Sequence, residues 1–238
     1  MSSVKRHVAV AVAALALLAP TGAAANNDVF APQAHPYGQS YGQWAADWWT
    51  WALEQPAPTN PLLDTTGARC ANHQSGRVWF LAGTTISGQR ITRRCSVPKN
   101  TALLFPIVNN SASAYGCDDT TPPGCVPDGP EWYNVSYLRA VLDDNVKPQF
   151  KVDAFRVTID GCAVAALAAY YEESTVFRVA LPDDDLFNQP RGWVFDPIVD
   201  VGYYLMVKPL SKGAHTIHFE GAIGEFTINV TYLLTVQR

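Results

Sequence analysis

The end of the chain carries the pattern that most constrains the fold. From Phe226 to Val236, apolar residues alternate with polar ones, and Leu233 is the one apolar residue in the polar set. Because successive side chains of a strand point to opposite faces, this pattern predicts a strand with one buried and one wetter face. His215 to Phe219 has the same alternation, and the turn around Gly221 to Gly224 predicts that these two strands pair.

Further short β-type runs fill most of the chain, separated by clusters of Gly, Pro, Asn and Asp. Such a series is typical of a sandwich or jelly roll. The predicted fold is therefore mostly β, an antiparallel, jelly-roll-like sandwich. Pro106 indicates an edge strand or a bulge within its run. The runs cover residues 78–82, 90–97, 103–108, 154–159, 175–181 and 203–207.

One stretch, residues 40–55, has helical periodicity, and prolines follow it directly. Its aromatic residues recur at spacings of three and four, which places them on one stripe of a helix. We expect this stripe to pack in the core rather than to form an exposed platform for sugars. A short second helix is predicted over residues 136–144. The aromatic stripe consists of Tyr41, Trp44, Trp48 and Trp51.

The first 25 residues have the organisation of a secretory signal peptide. Lys5 and Arg6 precede an apolar run from Val8 to Ala19, and the alanines at 23–25 offer a cleavage site. The run is shorter than the roughly 20 residues that span a bilayer, so we expect no transmembrane anchor. Residues 26–37 then form an extended arm and residues 38–238 a single domain. A secreted or periplasmic protein is predicted.

Five cysteines fit an oxidising compartment. Local spacing favours a disulfide between Cys70 and Cys95 and another between Cys117 and Cys125, with Cys162 left over. No CxxC pair is present, so the spacing does not favour a zinc site.

Charge and motifs exclude several classes of function. The net charge is −4 and no cluster of Lys and Arg occurs, which argues against nucleic acid as a partner. The chain lacks the Gly-x-Ser-x-Gly elbow, the His-Glu-x-x-His helix and a phosphate-binding glycine loop.

His218 and Glu220 form the best candidate catalytic pair, because the strand period places both on the polar face with Asn229. A histidine beside a carboxylate can act as a general base and its orienting partner. The alternative is a solvated polar face. His215 lies on the opposite face, so the two histidines are not expected to share a metal.

Three tryptophans lie off the helical stripe and are candidates for stacking on a ligand: Trp49, Trp79 and Trp132. Trp79 lies in an apolar strand and could equally be core.

Asp183 to Asp185 could offer oxygen ligands to Ca²⁺, but the spaced calcium loop is absent and a solvated turn is the alternative. Carboxylates assigned to loops, Asp196 and Asp200 among them, could supply the pair that a glycosidase needs.

Several segments resemble a group of exported bacterial proteins of unassigned function, and the similarity covers nearly the whole mature chain. The resemblance implies an exported single-domain protein and implies no activity. The segments are Tyr37-Gly-Gln-Ser-Tyr-Gly-Gln-Trp, Trp48-Trp-Thr-Trp-Ala-Leu, Asn60-Pro-Leu-Leu-Asp-Thr-Thr-Gly, Val78-Trp-Phe-Leu-Ala-Gly, His215-Thr-Ile-His-Phe-Glu-Gly and Val230-Thr-Tyr-Leu-Leu-Thr-Val.

Three functions remain open at this point. The first is a non-catalytic sandwich that binds glycans or cell-envelope components, with a glycan or small-molecule ligand as the expected partner. The second is a secreted hydrolase or lyase that acts on a polysaccharide or small ester through His218, Glu220 and loop carboxylates. The third is a structural or partner-binding protein that docks through the arm at residues 26–37. A groove lined by His218, Glu220, Asn229 and a tryptophan would favour the second.

Overall fold

The computed structural model describes residues 28–115 and 134–237. The predicted signal peptide, the predicted Cys117–Cys125 disulfide and Trp132 lie outside these ranges. The two helices are α1 (Tyr41–Leu53) and α2 (Val135–Val141), and a π-helical turn, Leu142–Val146, continues α2. The strands are β1 (Val78–Phe80), β2 (Arg90–Pro98), β3 (Ala102–Tyr115), β4 (Arg156–Ile159), β5 (Cys162–Ala163), β6 (Tyr171–Glu173), β7 (Phe177–Ala180), β8 (Val194–Val207), β9 (Gly213–Ile223) and β10 (Phe226–Gln237).

The strands form two five-stranded sheets. The first sheet has the order β1-β3-β8-β6, and β7 also pairs with β8. The second sheet has the order β2-β10-β9-β4-β5. The predicted hairpin of the last two strands is confirmed, since β9 and β10 pair antiparallel with Val230 opposite Phe219.

The two sheets face each other across an aromatic core, so the predicted mostly β sandwich is confirmed. Phe105 of β3 stacks on Phe219 of β9 with their ring centroids 4.6 Å apart. Strand β8 is buried along almost its whole length, because α1 and α2 contact it as well as its sheet neighbours. A strand covered on both faces becomes a nearly continuous apolar run and loses the alternation seen in β10.

Each sheet also contains one parallel pair, which the antiparallel prediction did not include. β1 runs parallel to β3, and β2 runs parallel to β10, with Arg90 beside Asn229 and Pro98 beside Gln237. Only neighbours joined by a tight turn are forced to be antiparallel. Between β1 and β3 the chain crosses to the second sheet as β2, and turn signals do not reveal such a crossing.

Helix α1 packs its tryptophan stripe into the protein, as predicted. Trp48 and Trp51 are buried, and the indole N–H of Trp48 donates to the Leu81 carbonyl at 3.0 Å. The N–H of Trp51 donates to the Asn72 carbonyl at 3.0 Å. The helix begins with a capping box, in which the Ser40 hydroxyl accepts from Gln43 N at 3.2 Å and the Gln43 side chain accepts from Ser40 N.

The predicted disulfide between Cys70 and Cys95 is present, and Cys162 is free. The Cys70–Cys95 disulfide links the segment after Asp64 to β2. Gly67, at a φ of +95°, packs so close to β2 that an added Cβ would lie 2.3 Å from the Arg94 carbonyl oxygen. Among the described residues, no helix is both long and apolar enough to cross a bilayer.

The described part of the arm lies against the first sheet. Val29 is buried and bridges Val207 of β8, and Phe30 N donates to the Met206 carbonyl at 2.9 Å. The hydroxyls of Tyr41 and Tyr170 both donate to the Phe30 carbonyl. This stretch therefore adds to the domain's own sheet.

Candidate functional site

A cavity opens along one edge of β3, between the two sheets. Strand β1 pairs with β3 only at Ala102 to Leu104, and beyond Leu104 no other strand of the described residues lies beside this edge. Pro106, Asn109 and Asn110 of that edge line a cavity of about 560 Å³. Cavities of this size commonly hold small molecules.

Apolar side chains dominate the wall of the cavity. Helix α1 contributes Trp48 and Trp49, while polar groups come from Asn109, Asn110, Gln149 and two threonines, Thr84 and Thr85. Leu63 and Phe187 are 39% and 48% exposed, so they form an accessible rim. The ten remaining apolar residues of the wall are Leu53, Leu62, Leu63, Pro106, Val146, Leu186, Phe187, Ile223, Phe226 and Ile228.

A β-bulge in β3 turns Asn109 toward the face of β8 that carries Asp200 and Tyr204. The register places Pro106 opposite Tyr204, then Val108 opposite Tyr203 and Asn109 opposite Gly202, so Ile107 is the extra residue. The bulge that Pro106 predicted is thus confirmed. Had β3 kept its upstream register with β8, Asn109 would lie opposite Val201 and point to the other face of the sheet.

A chain of hydrogen bonds leads from Asn109 into the core. The Asn109 Nδ2 donates to the Tyr204 hydroxyl at 2.8 Å, and this hydroxyl donates to Asp200 Oδ1 at 2.8 Å. Asp200 Oδ2 accepts from the indole N–H of Trp49 at 2.6 Å. Two side chains that line the cavity, Asn109 and Trp49, are therefore held by one buried carboxyl group.

Burial raises the pKa of Asp200 to about 8, although the Trp49 and Tyr204 donors and the nearby Arg139 oppose the shift. Arg139 donates to the Asp200 carbonyl oxygen at 3.2 Å and also to the Ser174 carbonyl. The Ser174 hydroxyl accepts from Asp200 N at 2.8 Å. Sequence reasoning assigned Asp200 to a loop, which was wrong, because it lies in β8 with no exposed surface.

The buried guanidinium of Arg93 supports another part of the cavity wall from the protein interior. Arg93 is 1% exposed and donates from Nε to the Asp64 carbonyl at 2.6 Å and from one terminal nitrogen to the Ala82 carbonyl at 2.5 Å. The same nitrogen donates to the Tyr232 hydroxyl at 2.8 Å. Leu63 and Gly83, which adjoin its carbonyl partners in the chain, line the cavity.

The predicted catalytic pair lies outside this cavity, on the outer face of the second sheet. His218 Nε2 is 3.2 Å from Glu220 Oε1, and Asn229 Nδ2 donates to the same oxygen at 2.5 Å. His218 Nδ1 is 2.9 Å from the Thr231 hydroxyl. Both ring nitrogens of His218 are thus in contact with protein groups.

The other predicted ligand residues lie in different parts of the structure. Trp49 lines the cavity, half-buried, whereas Trp79 packs partly buried against the core and is not part of the cavity wall. Asp185 accepts backbone N–H bonds from Phe187 and Gln189, and Asp183 pairs with Arg191. No group of three or more potential metal ligands occurs within residues 28–115 and 134–237.

Sequence reasoning missed a contact between His215 and Asp160. His215 Nδ1 is 2.7 Å from Asp160 Oδ2, and its Nε2 is 2.9 Å from the Ser211 carbonyl and 3.3 Å from the Ser211 hydroxyl. An Nε2 that donates to the closer carbonyl cannot also act as the base for the hydroxyl. The Asp160-Gly161 turn was the available signal, because it places Asp160 at the end of the strand beside β9.

Sequence reasoning also missed Asn109 and Asp200 as a linked pair. The break from an apolar run to Asn109-Asn110 in β3 was a local signal, but their partners lie in α1 and β8.

The resemblance to exported bacterial proteins stays a prediction. No protein-family model matches the chain, and neither a curated protein nor a solved structure is significantly similar to it.

Proposed function

We propose that this protein binds a small, mostly apolar molecule in the cavity beside β3. The observation that carries the proposal is a 560 Å³ cavity walled by two tryptophans and ten other apolar side chains, with a few amides at its edge. Ligand sites have this composition, because apolar contact supplies affinity and a few polar groups fix orientation.

The wall chemistry favours an apolar component of the cell envelope over a glycan. A sugar carries hydroxyls around its whole ring, and each one buried without a partner costs free energy. The polar groups of the wall, Asn109, Asn110, Gln149, Thr84 and Thr85, are too few to surround a sugar ring. They suit a ligand with one polar end.

The hydrolase or lyase alternative has less support. The His218–Glu220 contact is present, but both imidazole nitrogens are already bonded. The groove beside Glu220 has one carboxylate in its wall and no tryptophan. A glycosidase of the usual kind needs two carboxyl groups that face each other across the cleft.

The experiment is a fluorescence titration with N-phenyl-1-naphthylamine, an apolar dye that brightens on leaving water. We expect saturable binding with one site per chain. Long-chain alcohols should compete with the dye, and maltohexaose should not. Because binding to the native state stabilises it, the same alcohols should also raise the melting temperature.

Two matched variants locate the dye. Phe187→Asp places a charge on the cavity rim and should weaken dye binding about tenfold or more, since a charge beside an apolar ligand loses hydration. Val176→Asp changes an equally exposed residue, 50% against 48%, that is not part of the cavity wall. Equal binding by both variants, or binding that does not saturate, would refute the proposed site.

A further inference from the structure

The outer face of the second sheet is a separate surface with a different chemistry. Its central strands present hydroxyl, amide and guanidinium groups to solvent, while the helices contact the first sheet. The register aligns them in rows across the sheet: Arg90, Asn229, Glu220 and Arg156 form one row, and Thr92, Thr231, His218 and Thr158 form the next. With Arg94, we call these residues the arginine–threonine face.

This face is positive although the whole chain is negative. Arg90, Arg94 and Arg156 are exposed, and none of them belongs to an ion pair among the described residues. The only carboxylate of the face, Glu220, is already bonded to His218 and Asn229. The face thus carries three guanidiniums, of which Arg156 also donates to the Asp153 and Phe155 carbonyls, against one occupied carboxylate. This excess of positive charge contrasts with the net charge of −4 for the chain.

The spacing of the arginines suits an extended polymer rather than one small anion. Arg90 and Arg94 are four residues apart on a strand, which is about 13 Å between their Cα atoms. Arg90 and Arg156 are three strand spacings apart, about 14 Å. Two shallow grooves, of about 410 and 260 Å³, run across the sheet from Arg94 and Arg90.

The remaining groups of the face distinguish between polyanions. Single-stranded nucleic acids are held by aromatic side chains on which bases stack, and the arginine–threonine face contains no Trp, Tyr or Phe. Its threonines and Asn229 offer donors and acceptors at the spacing of neighbouring strands, which suits the hydroxyls of a sugar chain. We propose that the arginine–threonine face binds an acidic polysaccharide, with its carboxylates on Arg90, Arg94 and Arg156.

The test is affinity electrophoresis and calorimetry of the purified protein with polygalacturonate, whose every sugar carries a carboxylate. We expect binding that weakens as salt rises and that is absent with dextran, a neutral glucan. The double variant Arg90→Ser/Arg94→Ser should bind about tenfold more weakly or worse, because charge-assisted hydrogen bonds to carboxylates are lost. Both side chains are exposed, so the variant should keep its fold.

The control is Arg178→Ser/Arg191→Ser, which removes the same charge from exposed arginines that form ion pairs with Asp196 and Asp183. It should bind polygalacturonate like the unmodified protein. Equal losses in the two double variants, or equal binding of dextran, would overturn the proposal. Binding of an oligo-thymidine strand as tightly as polygalacturonate would also overturn it, because the face would then not select a sugar polymer.

Discussion

The indole N–H of Trp49 donates a 2.6 Å hydrogen bond to the carboxyl group of Asp200, a residue 151 positions away in the chain. This contact fastens α1 to the most buried strand of the first sheet. Because the ring of Trp49 lines the cavity, the bond also fixes the position of one wall. The shape of the proposed ligand site thus depends on a carboxyl group that does not touch the cavity.

Replacement of Asp200 by Asn should reduce the pH dependence of stability. Burial raises the pKa of Asp200 from its ordinary value of 3.8 to about 8, so the folded protein holds this proton more tightly than the unfolded chain. The proton's contribution is complete below about pH 4 and is lost as the pH rises to about 8. We expect urea unfolding to show a free energy that falls by several kcal/mol across this range, and a shallower fall in Asp200→Asn.

In Asp200→Asn the free energy of unfolding should still fall somewhat as the pH rises, because burial and the neighbouring Glu173 raise the pKa of Glu172 to about 7. The matched variant Asp183→Asn removes a half-exposed carboxylate and should keep the full slope. A slope unchanged by Asp200→Asn would show that this carboxyl group does not titrate in the folded protein as described.

Replacement of Gly202 by Ala should disturb the cavity through Asn109. A Cβ at Gly202 would lie 2.5 Å from the Cβ of Asn109, so the two strands must separate. We expect a loss of about 1–3 kcal/mol in the free energy of unfolding, as for other overpacked cores, and weaker dye binding. At Gly83 an added Cβ meets only Ile228 Cδ1 at 3.8 Å, so Gly83→Ala should be as stable as the unmodified protein. Equal stability of the two variants would contradict this.

Replacement of Arg93 by Ala should be strongly destabilising. The change leaves the Asp64 carbonyl without its buried donor, leaves the Ala82 carbonyl with the Tyr232 hydroxyl alone, and opens a cavity, for which we expect about 3–5 kcal/mol in urea unfolding. Its neighbour Arg94 is exposed on the other face of β2, so Arg94→Ala should change the stability by less than about 0.5 kcal/mol. Similar losses in both variants would show that the two faces of β2 are not as distinct as the structure indicates.

The pKa of His215 should fall when Asp160 is replaced by Asn. Burial lowers the pKa of His215, but hydrogen bonds to Asp160 and to the Ser211 carbonyl outweigh it and raise the pKa above 6.5. The protonated His215 ring therefore stabilises the folded protein fully below about pH 6.5, and this contribution is lost as the pH rises through the pKa of His215 in the folded state. An NMR titration of the His215 ring protons measures the shift directly. A pKa unaffected by Asp160→Asn, or lowered equally by Asp183→Asn, would contradict the assignment.

Much of the fold was predictable because burial follows local periodicity. The alternation in β10 and the tryptophan spacing in α1 each indicate the element and its buried face. Two kinds of feature were not predictable. The short strands β5 and β6 are too brief for a period to show, and the parallel pairing of β2 with β10 joins segments about 140 residues apart.

The candidate site was less predictable than the fold. The period of 2 correctly brought His218, Glu220 and Asn229 onto one face, because that inference needs only one hairpin. The cavity instead combines α1, β3, β9, β10, the helical turns after α2 and three loops, so no local pattern specifies it. Asp200 resembled a loop carboxylate because Pro197 and other turn-type residues stand nearby, whereas its burial depends on helices packed over β8.

The extra residue Ile107 shifts the register of β3 against β8 by one and thereby changes which positions of β3 face α1. Upstream of it, even-numbered positions point toward α1, and downstream the odd-numbered positions do, so the parity of the strand is reversed halfway along. If β3 kept its upstream register with β8, Asn109 would instead lie opposite Val201 and face the space between the sheets, and Asn110 would lie opposite Asp200. The register shift at Ile107 therefore decides which of the two asparagines faces α1.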